Sequence, residues 1–243
     1  MSELSVVPKY KRVLLKLSGE ALAGDKGSGL DFPTVENICR SIKKTAESGA
    51  QIGIVVGGGN FWRGRSSSGS DRARADHIGM LATTMNALAV ADVLENLGCV
   101  VRVQTAITMQ QVAEPFILGK ALRHLEKGRI VIFGCGTGNQ FFSTDSAASL
   151  RAAELKADII LKATMVDGIY DKDPKKFPDA VKYDVITHHE MLVKRLQVMD
   201  SAAAAICTEN NIPIIVFDLN EPNNIYDAVM GKTVGTLVTK HKA

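Results

Sequence analysis

Aromatic residues are scarce in this chain: they make up 5% of its 243 residues, and tryptophan occurs once, at position 62. Cysteine is also sparse, with Cys39, Cys99, Cys135 and Cys207 far apart, no C-x-x-C pair and no histidine pair nearby. That excludes a compact disulfide framework and a zinc site of ordinary spacing. Apolar neighbours such as Val100 and Ile206 point instead to buried, reduced thiols and a cytoplasmic location. Neither sign of charge dominates. The 29 Lys and Arg are scattered among 26 Asp and Glu, for a net charge of +3. A clustered basic stripe, the footprint of a nucleic-acid partner, is absent. No uninterrupted apolar run approaches the ~18 residues needed to span a bilayer, and the opening MSELSVVPKYKR has no apolar core of signal-peptide length. Neither nucleic acid nor membrane is therefore expected as a partner. No repeat, low-complexity tract or long linker divides the chain, so residues 1–243 read as one domain.

What the sequence does contain is alternation. Short apolar runs predict strands at RVLLKLS (12–18), QIGIVV (51–56), VVRVQT (100–105), RIVIFG (129–134), DIILKAT (158–164), PIIVF (213–217) and GTLVT (235–239). Helical spacing lies between them: Pro33 to Gly49, then 71–97, 117–128, 143–157, 188–196, 200–211 and 221–231. The glycine-rich segment GEALAGDKGSGLD (19–31) reads as a loop, and SSSGSD (66–71) as a surface loop. Such alternation predicts an α/β protein with a mainly parallel sheet and helices on both faces.

In open parallel sheets, ligands bind beyond the carboxyl ends of the strands. The segments there are KLSGE, GGGNFWRG, GCGTGNQFFSTDSAA and KATMVDGIYDKDP. They carry most of the glycines, together with Lys16, Arg63, Asp145, Lys162, Asp171 and Asp173. Amide-rich turns accept anionic oxygens closely, cations neutralise charge, and carboxylates can hold Mg2+. Together these residues have the chemistry of a bound polyphosphate. Each also has a plain structural reading. Three glycines can be a tight turn under a helix. Lys16 can be a surface residue at a strand end, and DGIYDKDP a turn. Asp145 and Asp200 can be helix N-caps. Two look-alikes fail: GKT at 231–233 has Tyr226 where a P-loop needs glycine, and GCGTGN ends in Asn139 where the dinucleotide fingerprint needs glycine. His188 and His189 read as facing a polar helix start, and no residues are assigned as metal ligands.

The blocks KRVLLKLSGEAL, VVGGGNFWRG, ADHIGMLATTMNALA, VAEPF, RHLEKGRIVIFGCGTGNQFFSTDSAA, LKATMVDGIYDKDP and VMDSAAAAIC resemble, in order, the signature blocks of the bacterial uridylate kinases, a branch of the amino acid kinase superfamily. The resemblance runs from about Lys11 to Val238. It implies a three-layer αβα sandwich and transfer of the γ-phosphoryl of ATP to UMP with Mg2+. It further implies a homohexamer, activation by GTP and inhibition by UTP. By the same resemblance, Lys16, Asp145 and Lys162 would be catalytic. Lys16, Leu17, Ser18, Gly19, Gly59, Arg63, Thr164, Tyr170 and Asp173 would contact ATP. Gly58, Asp76 and Thr137, Gly138, Asn139, Gln140, Phe141, Phe142, Ser143 and Thr144 would contact UMP. Gly24, Asp25, Lys26, Gly27, Ser28 and Gly29 would bind GTP. The chain departs from the family pattern at Trp62, where phenylalanine is usual, and at Gln140, where proline is common.

Overall fold

The computed structural model describes residues 7–62, 71–196, 198–221 and 223–241. The chain begins with β1 (Arg12–Leu17), α1 (Gly19–Ala23), α2 (Phe32–Glu47), β2 (Gln51–Val56) and α3 (Arg72–Asn96). Next come β3 (Val101–Thr105), β4 (Glu114–Pro115), α4 (Leu118–Glu126), β5 (Ile130–Gly134), α5 (Thr144–Leu155) and β6 (Ile159–Thr164). After β7 (Ile169–Tyr170), β8 (Lys182–Tyr183) and β9 (Val185–Thr187) follow α6 (His188–Val193), α7 (Ser201–Glu209), β10 (Ile214–Asp218), α8 (Asn224–Val229) and β11 (Thr236–Thr239).

Nine strands form one sheet in the order β4-β3-β5-β2-β1-β6-β10-β11-β9. All neighbours are parallel except β10 and β11. Two apolar cores lie on opposite faces. Val13, Leu15 and Leu17 of β1 pack into the core shared with α1, α2, α3 and α8. Leu14 points the other way, into the core shared with α4, α5, α6 and α7. Burial on both faces explains why the central strands read as nearly continuous apolar runs. The result is the αβα sandwich with a mainly parallel sheet.

Local chemistry sets the element ends. Asp31 caps α2, its carboxylate accepting from Thr34 N at 3.2 Å, and Pro33 sits in the first turn, where no amide hydrogen is needed. The most apolar stretch of α3 has a mean hydropathy of 1.3, and half of it is buried inside the fold, as suits a helix that covers a sheet.

Two local readings are corrected. Residues 19–23, read as loop, form α1; five residues are too few to display a helical period, and burial of Ala21 and Leu22 in the core holds the turn. His188 does start a helix, but it is 1% exposed and its Nε2 lies 3.1 Å from Ile212 O. Burial pushes its pKa below the ordinary 6.5. The short strands β4, β7, β8 and β9, of two or three residues, are below the length at which alternation can be read.

Gly235 precedes β11 at φ 61, and a Cβ there would lie 1.9 Å from Val216 O. Gly235→Ala therefore forces β11 off β10. It is expected to lower unfolding free energy by at least about 2 kcal/mol, read as a shift in denaturant midpoint.

Candidate active site

Lys16 and Lys162 face each other across neighbouring parallel strands, as register partners of β1 and β6. Each shares its strand face with an apolar residue of the α5 core, Leu14 and Ile160. Two ammoniums on adjacent strands repel, and one carboxylate resolves this. Asp145 accepts Lys162 Nζ on Oδ2 at 2.8 Å and faces Lys16 Nζ with Oδ1 at 3.1 Å. The side chains of Lys16, Lys162 and Asp145 are 14%, 9% and 18% exposed. Lys162 also donates to Val198 O. Burial pushes the Asp145 pKa up, but the charges and hydrogen bonds of the two lysines outweigh it and hold it below 3.8. For Lys162 burial acts downward, and with repulsion from Lys16 it outweighs the attraction of Asp145, leaving the pKa below 10.5.

Asp145 lies in the first turn of α5 but is not its cap. Ser143 is the cap, its Oγ accepting from Asp145 N at 3.0 Å and Ser146 N at 3.2 Å. That frees the aspartate carboxylate for the lysines. Asp200 does cap its helix, accepting from Ala203 N at 2.9 Å. The same carboxylate also accepts the hydroxyls of Ser143 and Ser146, joining the starts of α7 and α5. Sequence alone supplied the capping half of this role and not the tie to α5.

Clefts open on either side of this group. One of about 350 Å³ is lined by Gly58, Trp62, Asp76, Thr137, Asn139, Phe142, Ser143 and Thr144, among others. Gly59 lines this cleft as well. Gln140 and Phe141 lie on its rim, bonded to α3, and Gly138 packs against Ala106. The other cleft, of about 610 Å³, includes Lys162, Thr164, Tyr170 and Asp173. Leu17, Ser18 and Gly19 run from the end of β1 into the start of α1, next to Lys16.

The glycine run is a tight turn packed under a helix. A Cβ on Gly58 would meet Ala82 Cβ and Gly79 O at 2.9 Å, so α3 itself demands glycine there. A Cβ on Gly19 would lie 2.7 Å from Gly57 O, so the turns after β1 and β2 touch backbone to backbone. A reciprocal amide pair fixes this turn: Asn60 Nδ2 to Asn86 Oδ1 at 3.0 Å, Asn86 Nδ2 to Asn60 Oδ1 at 2.7 Å, and Asn86 Nδ2 to Gly57 O at 2.7 Å. Neither asparagine stood out in the sequence, because nothing local distinguishes a buried asparagine from an exposed one.

The segment 24–29 forms a 3-10 turn and an exposed loop, with Lys26 paired to Asp31 at 3.0 Å. It is tied to the glycine turn by Gly29 N to Asn60 O at 3.0 Å. Arg63 and most of the serine-rich loop lie outside the described residues. Residues not anticipated include Arg72, Met80 and Thr83 on the first cleft, and Lys172, Lys194 and Val216 on the second.

Buried cations around an acidic pivot, between two clefts at the carboxyl end of a parallel sheet, are the equipment of a phosphoryl-transfer enzyme. The amino acid kinase family matches residues 11–218, and the chain belongs to that family. It is similar to the UMP kinase from Bacillus anthracis, with 40% identity over 96% of this chain and 97% of that one, at a TM-score of 0.93. The UMP kinase from Ureaplasma parvum is 38% identical over 95% and 99%, at 0.90. The uridylate kinase from Archaeoglobus fulgidus is 29% identical over 93% and 99%, at 0.70.

Because Asp145 has a lower pKa folded than unfolded, it adds stability that is complete above the ordinary 3.8 and is lost as pH falls through the lower folded value. Asp145→Asn should cost about 3–5 kcal/mol near neutrality by leaving two buried ammoniums uncompensated. It should also flatten the acid limb of stability below pH 3.8. Denaturant midpoints taken down the pH scale check both.

Proposed function

We propose that this chain is a UMP kinase, transferring the γ-phosphoryl of ATP to UMP and forming ADP and UDP for pyrimidine nucleotide synthesis. The observation that carries this reading is the in-register pair Lys16 and Lys162, bridged by Asp145 between two clefts. The smaller cleft takes UMP, with Gly58 and Thr144 toward its phosphate, Asp76 toward its ribose, and residues 137–142 around the base. The larger takes ATP, with Thr164, Tyr170 and Asp173 toward the nucleoside. Gly59 and residues 16–19 would line the phosphate path, and by the family resemblance Arg63 would meet the ATP phosphates.

No general base is required, because a phosphate oxygen of UMP is already an anionic nucleophile. Catalysis rests on alignment and on charge neutralisation. Lys16 and Lys162 meet the charge that spreads over the transferred group, and Asp145 keeps both aimed at it. The amide-rich start of α5 adds partial positive charge. No cluster of three His, Cys, Asp or Glu able to hold a metal alone occurs among the described residues. Mg2+ would be carried in on the nucleotide, where it commonly takes phosphate oxygens and only one or two carboxylates. Bound with the nucleotide, the ion would neutralise phosphate charge.

The chain would act as a homohexamer in the cytoplasm, with GTP activating through residues 24–29 and UTP inhibiting. In support of assembly, α3 carries a second apolar stripe facing outward: Ile78, Leu81, Met85 and Leu88 are 38%, 53%, 51% and 37% exposed.

The test is ADP release from Mg-ATP with UMP, CMP, dUMP, N-acetylglutamate, aspartate and carbamate, with and without GTP. Turnover confined to UMP is expected; turnover on an amino acid or carbamate would make this an acyl-phosphate-forming member of the family. Lys16→Ala should lower kcat by about 10²–10³-fold with the far-UV circular dichroism of the parent. Parental turnover in that folded variant would end the mechanism.

A further inference from the structure

The loop at 137–142 that walls the smaller cleft is held in a conformation its residues resist. Phe141, 67% exposed, sits at φ 71, in the left-handed region that bulky side chains rarely occupy. Such backbone persists where its surroundings over-determine it, and it clusters at ligand clamps. Here the surroundings are the first turns of α3. Phe141 N donates to Asp76 Oδ2 at 2.8 Å, and Gln140 Nε2 lies 2.9 Å from His77 Nε2. Arg72 Nε donates to Asp76 Oδ1 and Oδ2 at 3.1 and 3.0 Å, while its guanidinium stands 5.7 Å from the centre of the Phe141 ring. Two consecutive helix residues thus grip two consecutive loop residues. The grip spans the cleft, since Arg72 and Asp76 line one wall and Asn139 and Phe142 the other.

We infer that His77 and Gln140 are positioning residues which, with the Asp76–Phe141 bond, form a clasp that closes the smaller cleft behind a bound nucleoside monophosphate. The inference rests on the proposed use of that cleft for UMP. The clasp joins wall to wall and touches no catalytic lysine. It therefore governs entry, exit and orientation of the acceptor nucleotide, not the transfer step. Proline at position 140 would have no side-chain donor or acceptor to offer His77, so this half of the clasp belongs to the chain's own departure from the family pattern. A neutral imidazole carries one acceptor and one N–H, and the Gln140 amide can present either complement.

The test uses His77→Ala, Gln140→Ala and the double variant. Trp62, the single tryptophan, lines the cleft and reports UMP binding by its fluorescence. Each single variant should raise the UMP dissociation rate and KM about five-fold, the worth of one net hydrogen bond, with a far smaller effect on kcat. The double variant should be no worse than either single one, because all three remove the same bond. In the ligand-free protein, His77→Ala should speed hydrogen exchange of the Phe141 amide by a similar factor. Additive effects, unchanged dissociation, or unchanged exchange would each overturn the clasp. Wild-type protein that neither binds nor phosphorylates UMP would overturn the proposed function instead, and the exchange measurement would then decide the clasp alone.

Discussion

Two lysines side by side in the middle of a sheet are an arrangement that folding alone does not favour. Each strips water from an ammonium, and each raises the cost of the other. The structure tolerates them because a helix start delivers one carboxylate between them, with Lys162 Nζ at 2.8 Å and Lys16 Nζ at 3.1 Å. Much else follows from that placement. Ser143 must take over the capping of α5 so that Asp145 is free. Asp200 must hold the hydroxyls of Ser143 and Ser146 so that α5 starts in the right place. Replacing the trio by apolar residues would pack as well or better. Its presence is better explained by a need for concentrated positive charge than by stability.

The clefts on either side are shaped by different means. The smaller one is held firmly at the glycine turn: Gly58 is pressed on α3, Gly57 on Gly19, and Asn60 and Asn86 lock the turn. Its far rim is a strained loop tied down by side chains. The larger cleft is bordered by the segment after α6 and by the two-stranded unit β7–β8, the latter carrying exposed ion pairs such as Lys182–Asp167 and Lys172–Asp179. Exposed pairs of this kind hold geometry weakly, so this side can adjust to its ligand more readily than the other.

The long strands and helices were legible in the sequence because burial on two faces writes apolar runs and helical stripes. The position of Lys16 was legible for a related reason: a charge interrupting such a run has few places to go. Its partner was harder to read. Asp145 and Asp200 both sit at helix starts, and a cap and a counter-ion look alike until the third dimension shows which nitrogen each oxygen meets. Short elements such as α1 and β7 escaped because they have no period of their own and exist by packing. Asn60, Asn86 and Ser146 escaped because their work is to bond residues far along the chain. The family resemblance named Asp76 and residues 137–142 together, but only the structure joins Asp76 to Phe141 across 65 residues.

The central strand β1 has β2 on one side and β6 on the other. Its first residue is sealed by Arg12 N to Asp158 Oδ2 at 2.8 Å, a contact spanning 146 positions. During synthesis, β1 therefore emerges with one neighbour soon available and the other far off. Until β6 leaves the ribosome an apolar strand edge stays open, and until Asp145 emerges shortly before it Lys16 stands without its counter-ion. Closing such a distant contact is slow, so the growing chain passes through a long vulnerable interval. The strand made first gains its second neighbour only after β2, β3, β4 and β5 have all been made.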